Sequence, residues 1–443
     1  MRRVERTAIA AWLGEVKQTV KILIVGSGGR EQALAWKILQ SARVDHLWIA
    51  PGNGGTAALG ARAENASVAA EDVAGLVDLA RRKSVDLVVV GPEVALALGL
   101  VDRLQAEGIP AFGPGQAASR IESSKAFAKA FMQRHHIPTA RYAVFSDFSA
   151  ARAHLRQVDY PVVIKASGLA AGKGVLIPVD LAEAEAGLRS IMVERSFGEA
   201  GDEVIVEERL SGPEVSLLAF SDGRHVVTMP PAQDHKRISD GDQGPNTGGM
   251  GAFAPSPLAV PDLVAEASRT ILQPTIDGLC AEGTPFVGVL YAGLMLTGDG
   301  PRVLEFNCRF GDPETQAILL LLESDLVEIM AACIDARLAG MPVTWRSEAA
   351  ATVVLASAGY PGAYQRGKVI NGLATAHALE GVVVFHAGTQ IAGTDVVSSG
   401  GRVLNVSAVG CTLAEALQRA YGAVGSVHFD GMQYRRDIGV RQV

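Results

Sequence analysis

Leu304-Glu305-Phe306-Asn307-Cys308-Arg309-Phe310-Gly311-Asp312-Pro313-Glu314 reads as a short apolar strand running into a turn. Side chains two apart on a strand point the same way, so Glu305 and Asn307 share a face. Both present oxygen. Paired hard oxygen donors at a strand end suit Mg²⁺, which takes carboxylate, amide and phosphate oxygens and keeps several waters. Arg309 follows, then a Gly-Asp-Pro-Glu turn. A metal site, a cation and a turn so close together are what phosphoryl transfer requires. Taken alone, the same residues also describe a buried strand and a surface turn.

Upstream, Gly168-Leu-Ala-Ala-Gly172-Lys173-Gly174 is a glycine loop whose amides can fold over phosphates. It is not a Walker loop, because three residues separate its glycines and Gly174 follows Lys173 where Ser or Thr is required. Lys165 closes the strand before this loop, and Lys125 opens a helix whose Phe127, Ala130 and Phe131 share a face. Two such lysines can meet one polyphosphate as point charges. Val204–Leu210 is a strand whose backbone suits an adenine edge, with Glu214 placed for ribose hydroxyls. An edge strand with ordinary surface acids reads equally well there.

From Lys21 onward the pattern alternates strand, loop and helix, which implies a parallel sheet with ligands at the carboxyl ends of its strands. The first loop, Gly26-Ser-Gly28-Gly29-Arg-Glu31, fails as a dinucleotide fingerprint. Glu31 stands at the third glycine position, and the second strand ends in Ala50-Pro51-Gly52 with no acid for a ribose. Amides at a helix start still suit one phosphate. Asn53-Gly-Gly-Thr56 and Gly91-Pro-Glu93 end neighbouring strands and would complete that pocket. Residues 233–253 read as one long polar, glycine-rich loop. Its Asp234, Lys236 and Gly248-Gly249-Met250 favour gripping a ligand, since loops this long are functional or disordered. Residues 315–334 read as one apolar helix. After Met341-Pro342 the chain turns β-rich.

Composition narrows the field. At 443 residues the chain exceeds one core, so two to four domains are expected. A net charge of −7 argues against nucleic-acid binding, which rests on a cationic footprint. Four widely spaced cysteines form no framework, so a reducing cytoplasm is expected. The uncharged run Gly283–Gly298 contains Gly and Pro and is too short for a membrane helix. Residues 1–20, with Arg2, Arg3 and Arg6, read as an extra leader or helix.

Taken in order, GSGGREQALAWK, PGNGGTA, GPE, SSKAF, IKASGLAAGKGV, QDHKR, GPNTGGMGAF, LEFNCRFGDPE and FDGMQYRRDIG resemble the phosphoribosylamine–glycine ligase family of the ATP-grasp superfamily. The resemblance runs from about Lys21 to the carboxyl terminus. It implies an α/β chain with an α+β lid. A Rossmann-like pre-ATP-grasp domain (21–122) would precede an ATP-grasp domain (123–345, lid about 142–212) and a small β-rich domain (346–443), with 1–20 outside the family. It implies ligation of glycine to 5-phosphoribosylamine with ATP, by a monomer, in purine biosynthesis. Glu305 and Asn307 would hold Mg²⁺ or Mn²⁺. Lys125, Lys165, Gly172, Lys173, Gly174, Glu207, Glu208, Leu210 and Glu214 would hold ATP. Gly28, Gly29, Glu31, Asn53, Glu93, Gly248, Gly249, Met250 and Asp312 would line the substrate pocket, with Arg309, Lys236 and Asp234 catalytic. Two positions depart from the family: Gln32 where His is usual, and Gly54 where Ala is frequent. A related ATP-grasp carboxylase or amino-acid ligase, a non-catalytic nucleotide-binding regulator and, more distantly, a nicotinamide oxidoreductase are the competing readings.

Overall fold

Val20–Gly26 is apolar throughout because both of its faces are covered. Ile22 and Ile24 enter one core cluster with Leu34 and Ile38 of the following helix, and Leu23 and Val25 enter another with Leu76, Leu79 and Leu104. This is the reading of a central strand in a parallel sheet. In the computed structural model, which describes residues 19–170 and 174–440, it pairs in parallel with Val44–Pro51 and Leu87–Val90. Ala63–Asn65 and Ala111–Phe112 complete five strands in the order third, second, first, fourth, fifth. The order reverses between the first and fourth strands, and such a reversal opens a crevice at their carboxyl ends. Gly26-Ser27-Gly28 and Gly91-Pro92-Glu93 emerge there.

A second, antiparallel sheet orders Val226–Thr228, Glu214–Asp222, Val287–Thr297 and Gly300–Asn307. Gly300–Asn307 is its edge, with Glu305 opposite Gly293 and Asn307 opposite Tyr291. The lid is a four-stranded antiparallel sheet: Tyr142–Phe145, Val204–Glu208, Val162–Ala166 and Val175–Leu176. Leu155, Ile164, Leu188 and Val206 give it a core of its own, separate from the body.

Two expectations need correction. Residues 233–253 are not one structureless loop. Gln233–Asp234, the hairpin Arg237–Ser239 with Gln243–Asn246, and Gly251–Ala254 are strands. Gly251–Ala254 is buried and pairs with Ala350–Val353 of the C-terminal sheet, which also holds Arg402–Gly410, Val382–His386 and Met432–Gln433. Burial of Phe253 draws the segment in, so the sheet crosses the expected boundary at residue 345. Likewise, the apolar stretch 315–334 is two helices, Glu314–Leu321 and Leu326–Ile334. Asp325 divides them by accepting the Val327 backbone N–H at 2.8 Å, which starts a new helix. The expected leader lies outside the described residues, except for its last two. No helix among the described residues is long and apolar enough to cross a membrane.

The C-terminal segment clamps the 237–246 hairpin. Arg435 is almost fully buried and forks onto Asp437 with two bonds of 2.7 Å, while reaching Asp242 at 2.7 Å. Asp437 in turn accepts the Gly241 N–H at 2.8 Å. Phe253→Ala should destabilise the C-terminal sheet by about 3–5 kcal/mol through the cavity it leaves. Urea unfolding followed by circular dichroism checks this; an unchanged midpoint would mean the shared strand contributes nothing.

Candidate active site

Glu305 sits on the edge strand, half-buried, and no group among the described residues hydrogen-bonds its carboxylate. Burial pushes that carboxyl upward, but Lys236, Lys165, Lys125 and Arg309 together hold it below the ordinary range. Four cations drawn from separate segments thus converge on one carboxylate. Lys165 Nζ donates to the Leu304 carbonyl at 3.1 Å, and Lys125 Nζ donates to the Gly168 carbonyl at 3.1 Å at the mouth of the glycine loop. Asn307 Oδ1 accepts from Arg309 Nη2 at 3.2 Å. Among the described residues no three His, Cys, Asp or Glu side chains are grouped to cage a metal. Glu305 and Asn307 offer one carboxylate and one amide oxygen, a hard-oxygen donor set of the kind Mg²⁺ accepts together with phosphate and water.

Arg309 turns its guanidinium inward. Nη2 lies 2.9 Å from Glu122 Oε1, and Nε lies 3.3 Å from Glu93 Oε2 at the sheet's switch point. Glu122 also accepts the Cys308 N–H at 2.7 Å. Its burial keeps the carboxyl raised despite Arg309. Burial pushes Glu93 upward as well, but Arg309 and Arg30 bring it below the ordinary range. Glu31 accepts the Gly28 N–H at 2.6 Å and meets Arg30 Nε at 2.5 Å. It therefore shapes the first loop from within. A Cβ on Gly28 would lie 2.9 Å from Glu31 Oε2 and 3.2 Å from Asp312 Oδ2, so a side chain there would press on the tips of those two carboxylates.

The C-terminal domain completes the crevice. Arg402 Nη1 donates to the carbonyls of Gly248 at 2.7 Å and Asp312 at 2.8 Å. Gly249, at φ +111°, packs on Pro313. Met250 is fully buried and acts as packing beneath the loop. Asn53 bonds the Ser27 and His386 carbonyls, both at 2.9 Å, and its Oδ1 takes the Gly55 and Thr56 N–H groups. Gln32 Oε1 accepts the His386 N–H, so the departure at this position faces the C-terminal domain. Opposite, Lys236 Nζ lies 2.6 Å from Glu214 and 3.9 Å from Asp234. Burial, with Glu314, Glu214 and Glu305 nearby, pushes the Asp234 carboxyl up to about 7 against the pull of Lys236.

In the lid, adjacent strand residues diverge as the pleat requires. Glu208 faces out to Arg141 at 2.9 Å. The Glu207 carboxylate points the other way from that of Glu208. It is turned inward, 2% exposed, between Lys165 and Lys129. Leu210 is half-buried just past the strand. Gly174 packs against Ala166 and Ala170; Gly172 and Lys173 lie outside the described residues.

Three family models cover nearly all of the chain: phosphoribosylglycinamide synthetase N domain (residues 20–122), ATP-grasp (A) domain (123–315) and C domain (350–441). This chain belongs to the phosphoribosylglycinamide synthetase family. Within it, the chain is 52% identical to phosphoribosylamine–glycine ligase of Allochromatium vinosum over 425 residues, covering 96% of this chain and 99% of that one. It is also 52% identical to the trifunctional purine biosynthetic protein adenosine-3 of Gallus gallus, of which the match spans 42%. The crystal structure of the Thermotoga maritima phosphoribosylamine–glycine ligase superposes with a TM-score of 0.81 at 34% identity, over 95% of this chain and all of that one. A Campylobacter jejuni biotin carboxylase shares the fold, with a TM-score of 0.72 at 14% identity. Membership of the phosphoribosylglycinamide synthetase family places the chain among ATP-dependent ligases of purine biosynthesis.

Several residues at the candidate site escaped the sequence reading: Glu122, Lys129, Arg402, and Ser216 and Tyr291, which form a buried trio with Glu314 of the quoted turn. In that trio the Tyr291 hydroxyl donates to Glu314 at 2.7 Å. Only Lys129 carried a signal, lying four residues after Lys125 on the same helix face. Arg309→Met leaves Glu122 as an unpaired buried charge and should destabilise by about 3–5 kcal/mol. Adding Glu122→Gln should recover part of that loss in thermal unfolding. A double variant no more stable than Arg309→Met would show that the pair is not coupled.

Proposed function

We propose that the chain ligates glycine to 5-phosphoribosylamine through glycyl phosphate, forming glycinamide ribonucleotide, ADP and phosphate. The convergence of Lys125, Lys165, Lys236 and Arg309 on Glu305, beside the switch-point crevice, carries this reading. A carboxylate is a poor electrophile. The glycine carboxylate oxygen attacks the γ-phosphorus, ADP leaves, and the acyl phosphate has a good leaving group. The amine of phosphoribosylamine then attacks the carbonyl carbon and expels phosphate. Such chemistry asks the protein mainly for positioning and charge neutralisation.

Lys125 and Lys165 hold the ATP phosphates from the helix start and the lid strand. Lys236 and Arg309 offset the negative charge between the nucleotide and the glycine carboxylate. Asp234, with its carboxyl near neutrality, takes a proton from the attacking amine, as a group poised close to working pH does best. Gly28, Gly29, Glu93 and the Gly248–Met250 loop border the phosphoribosylamine, with Glu31 and Asn53 fixing their backbone. The lid excludes water from the acyl phosphate. Mg²⁺ or Mn²⁺ held by Glu305 and Asn307 would supply positive charge to the phosphate oxygens when bound.

The test is ADP release with each substrate omitted in turn. Turnover should require glycine and phosphoribosylamine together; ADP release with neither would sink the reading. Glu305→Ala should lower kcat by roughly 10² or more, because metal charge stabilisation is worth several kcal/mol. Near-normal turnover at saturating Mg²⁺ would remove Glu305 from the metal site. For the general base, activity should rise with pH through about 7 as Asp234 loses its proton. Asp234→Asn should be slower and lack that rise, whereas an identical pH profile would assign the proton elsewhere.

A further inference from the structure

We propose that Lys129 is a positioning residue for ATP: it neutralises one oxygen of Glu207 so that Glu207 can orient Lys165 without cancelling the charge that Lys165 presents to phosphate. This rests on the reading of Lys165 as a phosphate ligand.

The arrangement is one carboxylate between two ammonium groups. Lys165 Nζ lies 2.9 Å from Glu207 Oε2, and Lys129 Nζ lies 3.0 Å from Glu207 Oε1. All three side chains are nearly shut off from solvent: Lys129 and Glu207 are 2% exposed and Lys165 is 6%. Screening by water is therefore weak, and each charge counts. Lys129 is anchored by donating to Thr139 Oγ1 at 2.7 Å, and Thr139 donates to the Val303 carbonyl at 2.7 Å. Lys165 donates one residue further along the same strand, to the Leu304 carbonyl at 3.1 Å. Both lysines are thus indexed to the strand that delivers Glu305.

The charge count explains why a second lysine is needed. Lys165 and Glu207 alone sum to zero, which would leave the phosphates facing a neutral pair. With Lys129 the group carries one net positive charge. Lys165 has three N–H bonds. One donates to the Leu304 carbonyl, and the ion pair with Glu207 holds the ammonium on the other side, so together they fix where it points. Lys129 lies behind Glu207 and touches no substrate in this scheme. Burial lowers the Lys129 pKa to about 8 even against the pull of Glu207, so its charge is held at a cost that simple packing would avoid.

A purely structural pin between the lid strand and the Lys125–Arg134 helix makes a different prediction, and charge-removing variants separate the two. Lys129→Gln leaves a polar side chain at the position and removes the charge that pairs with Glu207. It should raise the ATP KM at least tenfold, with the glycine KM within twofold of the unsubstituted enzyme. Lys129→Gln/Glu207→Gln removes the carboxylate that made Lys129 necessary, and its ATP KM should fall at least threefold below that of Lys129→Gln. An unchanged ATP KM in Lys129→Gln, or a double variant as impaired as the single one, would overturn the proposal. Should the single variant fail to fold, ATP binding by the double variant decides: weakening as severe as in Lys165→Met overturns it, and a smaller loss supports it. Lys165→Met also separates the two levels of argument. If it leaves ATP kinetics unchanged, the phosphate-ligand reading has failed. If it raises the ATP KM while Lys129→Gln does not, only the role of Lys129 has failed.

Discussion

Arg309 brings a permanent charge into the interior, and the surrounding chain is arranged to meet it. Burial opposes that charge, while Glu122 and Glu93 hold the guanidinium in its ionised form. Glu122 comes from the helix preceding the ATP-grasp body, Glu93 from the switch point of the parallel sheet, and Asn307 from the edge strand. Guanidinium geometry suits this role, because its donors lie in one rigid plane and reach several partners at once. Displacing any partner leaves a buried charge unmet, which costs more than a surface contact could recover. The amino-terminal domain is therefore docked on the body at the sheet's switch point, beside Glu305 and Asn307.

The same logic of compensated charge runs through the cleft. Lysines and acids alternate around Glu305, so no single carboxylate or ammonium stands in a field of its own sign alone. Asp234 keeps its raised carboxyl chiefly through burial, with Lys236 pulling the other way and carboxylates nearby adding to the rise. A nucleotide with its cation adds both signs to this lattice. The protein's task is to keep side chains from reorganising when that happens, and backbone carbonyls such as those of Leu304 and Gly168 hold the lysines for it.

Much of this was legible in the chain because it depends on local periodicity. Glu305 and Asn307 follow from a two-residue repeat, the parallel sheet from unbroken apolar strands, and Lys125 and Lys165 from their places at element ends. Partners set by packing were not legible. Nothing near Glu122 announces a guanidinium, and Arg402 lies in a strand whose composition speaks only of a sheet. The direction of Glu207 depended on which face of its strand the lid buries, and that is decided by Lys129 on another element. The 233–253 stretch misled because its buried strand is only four residues long beside a hairpin rich in Gly and Asp. Gln32, which departs from the family pattern, proved to serve the contact with His386.

The strand shared between body and C-terminal sheet fixes an order of events during synthesis. Gly251–Ala254 leaves the ribosome roughly a hundred residues ahead of Ala349–Ser357, a delay on the order of ten seconds at ordinary translation rates. Until then the 237–246 hairpin and the strand pair flanking it have only each other, and lack the larger sheet they join. The lid can be finished early, from contacts within its own span. The Gly248–Met250 side of the cleft is among the last parts of the nascent chain to take shape.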